Sequence, residues 1–379
     1  GQRVFGLISN QVLIAIPLFV LMGALLEKSR IAEELLDTMG RAFGQLRGGL
    51  GISVVLVGAL LAASTGIVGA TVVAMGMIAL PTMLRSGYDP RVASGIVCTA
   101  GTLGQIIPPS TLLIILADVM SNAYQQAQYE QGKFAVEALS VGQFFAAALV
   151  PGLVLVSLYL IYVLARGVLR PDDMPPAPPD LPRPSRPEVL GAIVPPVLLI
   201  FAVLGSILGG LATPTEAAAV GAVGALLLAG ARRGRHRGVI AVAAAALIVL
   251  AIAAGLFPVR LQRGDLGTGA YLAGGLYIVL TLVGVTGILA ALNNLLRDRV
   301  VHGAVASTMT MTAMIFATIL AAGMFSLVFI GLGGEERVAH WLENLPGGAT
   351  GALLVTMVIV FFMGFFLDFG RIIFILVPI

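Results

Sequence analysis

An all-α, polytopic membrane protein is the fold class this sequence predicts, on three observations. Of 379 residues, 58% are apolar and only 11% are charged, whereas a soluble domain carries about 25% charge. Runs of roughly 20 apolar residues, the length a helix needs to cross a bilayer core, recur along the whole chain. Lysine and arginine gather in the short connections, sixteen on one side of the proposed spans against five on the other. That asymmetry marks membrane topology, and the absence of a continuous basic stripe leaves no footprint for nucleic acid.

The apolar runs place spans at 6–26, 91–117, 141–165, 189–209, 215–231, 239–257, 269–292 and 303–331. Stretches 48–84 and 350–379 are longer than one span and carry polar interruptions, so they read as broken or re-entrant hairpins. The face holding Lys28, Arg41, Arg85, Arg166, Arg232 and Arg297 is cytoplasmic by the positive-inside rule, which puts loops 118–140 and 333–348 outside. Charge counting leaves open whether 48–84 crosses twice or turns back halfway. The chain starts at Gly1 without a charged leader and stops inside the apolar run FILVPI; the expectation is a fragment lacking both ends, truncated in its C-terminal hairpin.

Two connections have structure of their own. Residues 27–47 put Ile31, Leu35, Leu36, Met39 and Phe43 on one helical face with charges opposite, the pattern of an interfacial helix, with a solvent-exposed connecting helix as the alternative. Residues 171–187 hold eight prolines and read as a stiff, extended cytoplasmic linker. The linker, 171–188, divides the chain into halves 1–170 and 189–379.

Soluble chemistries find little support. Cys98 is the only cysteine, and His236, His302 and His340 are scattered with no HExxH, so paired-cysteine zinc sites and metalloprotease motifs are absent. Neither GxxxxGK[ST] nor GxGxxG occurs, which removes the usual phosphate cradles. No enzyme and no organic cofactor is indicated.

The polar interruptions carry the functional signal, because unwound backbone at membrane depth survives only where protein or a cavity covers it. The first is Ser64-Thr65-Gly66-Ile67-Val68-Gly69-Ala70-Thr71, whose hydroxyls and carbonyls suit a cation such as Na⁺; a small-residue helix contact through Gly66 and Ala70 reads equally well. The second is Gly104-Gln105-Ile106-Ile107-Pro108-Pro109-Ser110. Its paired prolines remove two amide donors and break the span at 91–117 near its middle, freeing helix ends for ions or a carboxylate; a structural kink is the alternative. In the third, Thr213 as N-cap, Pro214 at the first helical position and Glu216 at the third complete a capping box, with Thr215 between them, so no ligand is needed to explain it. The fourth places Gly364, Asp368 and Arg371 within an apolar stretch, either as an ion pair three residues apart or as a site.

In this order, the clusters make the chain resemble the large permease subunit of tripartite ATP-independent periplasmic (TRAP) transporters, of the dicarboxylate type. The resembling text is AIPLFVLMGALLEKSRIAEELL at 15–36, ALLAASTGIVGATVVAMGMIALPTMLRSGYDP at 59–90, GTLGQIIPPSTLLIILADV at 101–119, GGLATPTEAAAVGAV at 209–223 and GFFLDFGRIIFILVPI at 364–379. The resemblance implies an inverted-repeat fold with re-entrant hairpins and broken helices, working as an elevator in the bacterial inner membrane. It implies Na⁺-coupled import of organic acids, with a small membrane subunit and a periplasmic solute-binding protein as partners. Ser64, Thr65, Gly66, Gly69 and Thr71, with Gly104, Pro108, Pro109 and Ser110, would form the first half of the ion and substrate region, Na⁺ lying near Ser64, Thr65 and Gly104. Gly364 and Asp368 would mark the incomplete second hairpin at 350–379.

Two departures accompany the resemblance. The family tip usually reads Ser-Gly-Ser-Ser, and here it is Ser64-Thr65-Gly66-Ile67. Residues 239–292 add a helix pair outside the common pattern, and the second-half counterpart of Pro108-Pro109 would lie past Ile379. A non-transporting membrane scaffold, with every break serving helix packing, is the competing reading.

Overall fold

The computed structural model describes residues 5, 10, 12–65, 68–133, 135–176, 183–257, 268–367 and 369–376, which contain α-helices and no strand. The helices are α1 (Ala15–Lys28), α2 (Ile31–Phe43), α3 (Gly49–Thr65), α4 (Val68–Arg85), α5 (Pro90–Ile106), α6 (Thr111–Glu130), α7 (Val141–Leu169) and α8 (Arg186–Leu208). They continue with α9 (Pro214–Arg232), α10 (Arg237–Leu256), α11 (Thr268–Arg297), α12 (Val300–Gly331), α13 (Gly334–Glu343), α14 (Gly348–Met363) and α15 (Phe369–Leu376). Among the described residues six helices are long and apolar enough to cross a membrane, and α5 with α6, bent by 43° at the break, has the length and composition of a broken span or a re-entrant loop.

Helix ends are set by local chemistry. Ser140, Ser185 and Thr213 each close a reciprocal capping box, with Gln143, Glu188 and Glu216 at the third position, satisfying donors that a helix N-terminus otherwise leaves open. At the start of α5, Asp89 accepts from the amides of Arg91 and Val92, with Pro90 in the first turn.

The core has two main parts. Around α1, buried Ile16, Phe19, Val20, Met22 and Leu25 pack with Ile114, Phe145, Val203, Ala218 and Ala304 of the surrounding helices. A second cluster joins α2, α3, α4 and α5 through Leu35, Met39, Val54, Met75, Ile96 and Leu103. The close approach of α5 to the hairpin legs depends on glycine. A Cβ on Gly58 would lie 2.9 Å from Ala100 Cβ, and one on Gly101 would lie 2.4 Å from Val72 Cγ2.

One plan occurs twice. In α1–α2–α3 and in α12–α13–α14, a helix is followed by a two-residue turn ending in a left-handed residue, Arg30 (φ 65°) or Gly333 (φ 72°). A short helix follows, then a turn through left-handed Gly48 or Gly347, then an apolar helix that runs into a tip.

Several sequence-based boundaries change. The first span does not run from 6 to 26 as one described helix: Val12–Ile14 form a turn, Asn10 Oδ1 accepts from Val12 N at 2.9 Å, and α1 begins at Ala15. The helix after the proline break continues to Glu130, where apolar periodicity stops at 117, because Ala- and Gln-rich sequence still favours helix. Loop 333–348 is largely the helix α13. Helix α2 does not lay its apolar face in lipid. Leu35 and Met39 are buried against α3, while Arg41 pairs with Glu188 at 2.6 Å and Arg232 with Glu34. The linker is not extended from its start: Pro171–Asp173 form a 3-10 turn, Arg166 pairs with Asp173 at 2.7 Å, and Met174 is fully buried. Arg186 already belongs to α8.

The additional pair, α10 and α11, packs through small residues against each other and α9. A Cβ on Gly287 would lie 2.0 Å from Ala243 Cβ, and one on Gly230 would lie 2.5 Å from Ala291 Cβ. Close backbone approach through glycine is a normal means of joining helices in lipid. Gly287→Leu is expected to lower the thermal unfolding midpoint in detergent through overpacking of about 1–3 kcal/mol; an unchanged midpoint would show that this contact does not hold the pair.

Candidate functional site

The two legs of the first hairpin pack on the helix that leads into the proline break. Helix α3 ends at Thr65 and α4 starts at Val68, so carbonyls at the α3 end and amides at the α4 start both face the connection. The contacts Gly58–Ala100 and Val72–Gly101 press the tip-proximal turns of both legs onto the last turns of α5. Three residues beyond Gly101 lies Gly104, buried, and then the break.

At the break, Ile107 is extended (φ −83°, ψ 122°) and its amide donates to Leu103 O. Pro108, Pro109 and Ser110 are buried. The Ser110 hydroxyl donates to Gln105 O at 2.8 Å, covering one carbonyl that the end of α5 leaves open. Ser110 is also the N-cap of α6, without a side-chain cap bond to the helix. Both hairpin legs thus pack on the last turns of α5, whose C-terminus lies across the break from the N-terminus of α6. Helix dipoles favour a cation at the C-termini of α3 and α5 and an anion at the N-termini of α4 and α6.

The sequence-predicted residues fall as follows. Ser64 and Thr65 form the last turn of α3 and Gly69 the first turn of α4; their spacing is described, whereas Gly66 lies outside the described residues. A Cβ on Gly69 would meet nothing within 4 Å, so close packing does not require glycine there. Thr71 is buried, 3% exposed. Gly364 follows α14, its amide donating to Val360 O at 3.0 Å, while Asp368 lies outside the described residues and its pairing with Arg371 is not defined. Helix α15 reaches the first region, since Ile373 shares the core with Leu113 and Ile114 of α6. Thr213, Pro214, Thr215 and Glu216 stand apart at the start of α9, where Glu216 accepts from Thr213 N at 2.8 Å.

A cavity of 790 Å³ lies between α2, α3 and α4, a size in the range of small-molecule sites. Glu33, Asp37 and Arg41 of α2 line it, with Ser53, Val54 and Leu61 of α3 and Thr71 of α4. Ser53 is satisfied by Met39 O and Gly49 O at 2.9 and 3.0 Å. No group of three or more His, Cys, Asp or Glu suited to a metal occurs among the described residues. A cation here would rely on carbonyls and hydroxyls, the donor set of the two helix ends.

One polar contact escaped sequence reasoning. Asn10 Nδ2 donates to Asp118 Oδ1 at 2.9 Å, joining the segment before α1 to α6. A lone carboxylate inside TLLIILADVM was the available signal.

A family model described as the DctM component of tripartite ATP-independent periplasmic transporters matches residues 1–379. The chain belongs to this TRAP family. It is a family of membrane transporters, not of enzymes, and the chain is accordingly a multi-pass protein of the bacterial inner membrane. It is 38% identical over 226 residues to the C4-dicarboxylate TRAP transporter large permease protein DctM of Pseudomonas aeruginosa, covering 58% of this chain and 47% of that protein. It is 28% identical over 219 residues to the ectoine TRAP transporter large permease protein TeaC of Halomonas elongata, covering 57% and 46%. For the sialic acid TRAP transporter large permease protein SiaM of Vibrio cholerae the identity is 28% over 235 residues, covering 60% and 49%. The chain spans about half the length of these curated relatives.

Proposed function

We propose that this TRAP permease imports an organic acid of the dicarboxylate, keto acid or sugar acid type, driven by Na⁺. The carrying observation is the packing of both hairpin legs on the helix that leads into the break at 107–110, beside a cavity between α2, α3 and α4. Carbonyl ends would hold the cation and amide ends the carboxylate. Each charge lowers the cost of bringing the other into a low-dielectric site, so neither crosses well alone and the ion gradient drives uptake.

Partners follow from the family reading: a small membrane subunit and a periplasmic binding protein that delivers the acid. The second hairpin would close the site from the opposite face, and an elevator-like displacement would carry it across. The scaffold alternative draws on the tight glycine contacts of α5, yet open space around Gly69 does not fit a tip built only for packing.

The test is uptake by the full-length permease, its small subunit and binding protein in proteoliposomes under an imposed Na⁺ gradient. Accumulation of an organic acid that collapses without Na⁺ is expected; no Na⁺-dependent accumulation of any organic acid would favour the scaffold. Ser64→Ala and Thr65→Ala are each expected to raise the Na⁺ concentration for half-maximal uptake several-fold, as loss of a hydroxyl worth about 1 kcal/mol implies. Unchanged Na⁺ dependence in both would remove these hydroxyls from the ion site.

A further inference from the structure

A second pocket, which shares Lys28 and Arg30 with the larger cavity, lies where α1, α9 and α11 end and α12 begins. It is an open hollow of about 390 Å³, and its lining includes Lys28, Arg30, Arg233 and Arg299 with a single carboxylate, Asp298. Four cations around one small hollow repel one another unless an anion occupies it. Their existing partners are weak. Arg233 meets Asp298 at 3.3 Å, Lys28 meets its exposed neighbour Glu27 at 3.2 Å, and Arg30 meets Glu33 at 3.9 Å. Exposed pairs of this kind exchange readily for a better ligand. Arg299 is exposed, and no salt bridge to it is present among the described residues.

The backbone adds donors. Val300, at the first position of α12 where helix amides have no partner within the helix, lines the same hollow; Gly303 lines it too, with its own amide donating to Arg299 O at 3.2 Å. Gly303 admits the stem of Lys28, whose Cδ would lie 4.0 Å from a Cβ there. Guanidinium forks together with open helix amides suit a phosphate oxyanion, which accepts several charge-assisted bonds at once.

We propose that this pocket binds the phosphodiester of an anionic phospholipid from the cytoplasmic leaflet. Position separates the lipid from a soluble phosphate. The pocket stands where α1, α9 and α11 end and α12 begins, on the face that the distribution of lysine and arginine makes cytoplasmic. Below it on α12, Ala306 and Thr310 continue the stripe of Arg299 and Gly303 at helical spacing, and both are exposed. Flanking Val305 and Met309 are 41% and 68% exposed. An acyl chain can follow this uncharged strip while the headgroup sits among the cations, a usual arrangement for basic pockets between membrane helices. Lys28 and Arg30 also line the larger cavity, so the lipid would sit against the α1–α2 turn. The inference rests on the fold and charge distribution and is independent of the transported acid.

The test is native mass spectrometry of the full chain titrated in detergent with phosphatidylglycerol, phosphatidylcholine or inorganic phosphate at constant ionic strength. One tightly retained phosphatidylglycerol is expected, with phosphatidylcholine weaker. Each removed charge should weaken binding about fivefold, so that Arg233→Gln/Arg299→Gln loses roughly 25-fold. Arg337→Gln, on the opposite face, should change nothing. Asp298→Asn removes the competing carboxylate and should tighten binding, a direction that misfolding cannot imitate. Equal retention of both lipids, an unaffected double variant, or displacement of phosphatidylglycerol by equimolar inorganic phosphate would each overturn the proposal.

Discussion

Gly101→Val is expected to reduce Na⁺-driven uptake at least tenfold and to lower thermal stability, although residue 101 is a small side chain away from any charge. The site of the clash decides this. A Cβ at 101 would stand 2.4 Å from Val72 Cγ2, and also 3.0 and 3.1 Å from the Cα and N of Val72. A side-chain tip can swing away, whereas backbone atoms cannot move without displacing α4. Overpacking of this sort costs about 1–3 kcal/mol, and part of it would be relieved by lifting the hairpin leg off α5. That movement shifts the hairpin legs relative to the break, so the carbonyl and amide ends lose their relative placement. A displacement of about 1 Å in such a positioned set is enough for a hundredfold effect in other chemistries. Gly95→Ala is the control, because it lies on the same helix with nothing within 4 Å of the new Cβ; it should transport normally. Wild-type uptake by Gly101→Val would show that the tip and the break work independently.

The contrast between Gly95 and Gly101 also shows what a sequence can and cannot carry. Both glycines occupy the same apolar run, and only the neighbouring helix makes one of them indispensable. The break at Ile107–Ser110 was legible because proline acts on its own backbone and the residue before it. The Thr213–Glu216 box was legible for the same reason, its partners being three residues apart. Helix α2 shows the limit. Its amphipathic stripe is plain in Ile31, Leu35, Leu36 and Met39, but a stripe does not say whether lipid or protein covers it, and here α3 does. The end of α6 is not legible in the sequence, because a polar stretch reads as a loop until its partners are known. Gln128 instead anchors the following segment, its amide donating to Glu137 O at 3.0 Å and accepting from Glu137 N at 3.1 Å. The basic pocket joins residues near 28, 233 and 299, a juxtaposition that follows only from helices ending at one level.

Asp118 provides the other large effect. Eight residues beyond Ser110 on α6, its carboxylate stands roughly 12 Å along the helix from the break at 1.5 Å per residue. At an effective dielectric of about 20, a unit negative charge at that distance favours a cation by about 1.4 kcal/mol, or roughly tenfold in affinity. Asp118→Asn is nearly isosteric and keeps an oxygen to accept the bond from Asn10 Nδ2, now 2.9 Å long; it removes only the charge. The expected result is normal melting, normal maximal uptake at saturating Na⁺, and a Na⁺ concentration for half-maximal uptake raised up to about tenfold. Asp118→Ala should act differently. It strands the Asn10 amide and releases the segment before α1, where Asn10 also accepts from Val12 N, so stability should fall by about 1–3 kcal/mol. If Asp118→Asn left Na⁺ dependence unchanged while Asp118→Ala melted early, the carboxylate would be a tether for the N-terminal segment alone. Loss of uptake in Asp118→Asn even at saturating Na⁺ would place the group closer to the moving ion than the helix geometry allows.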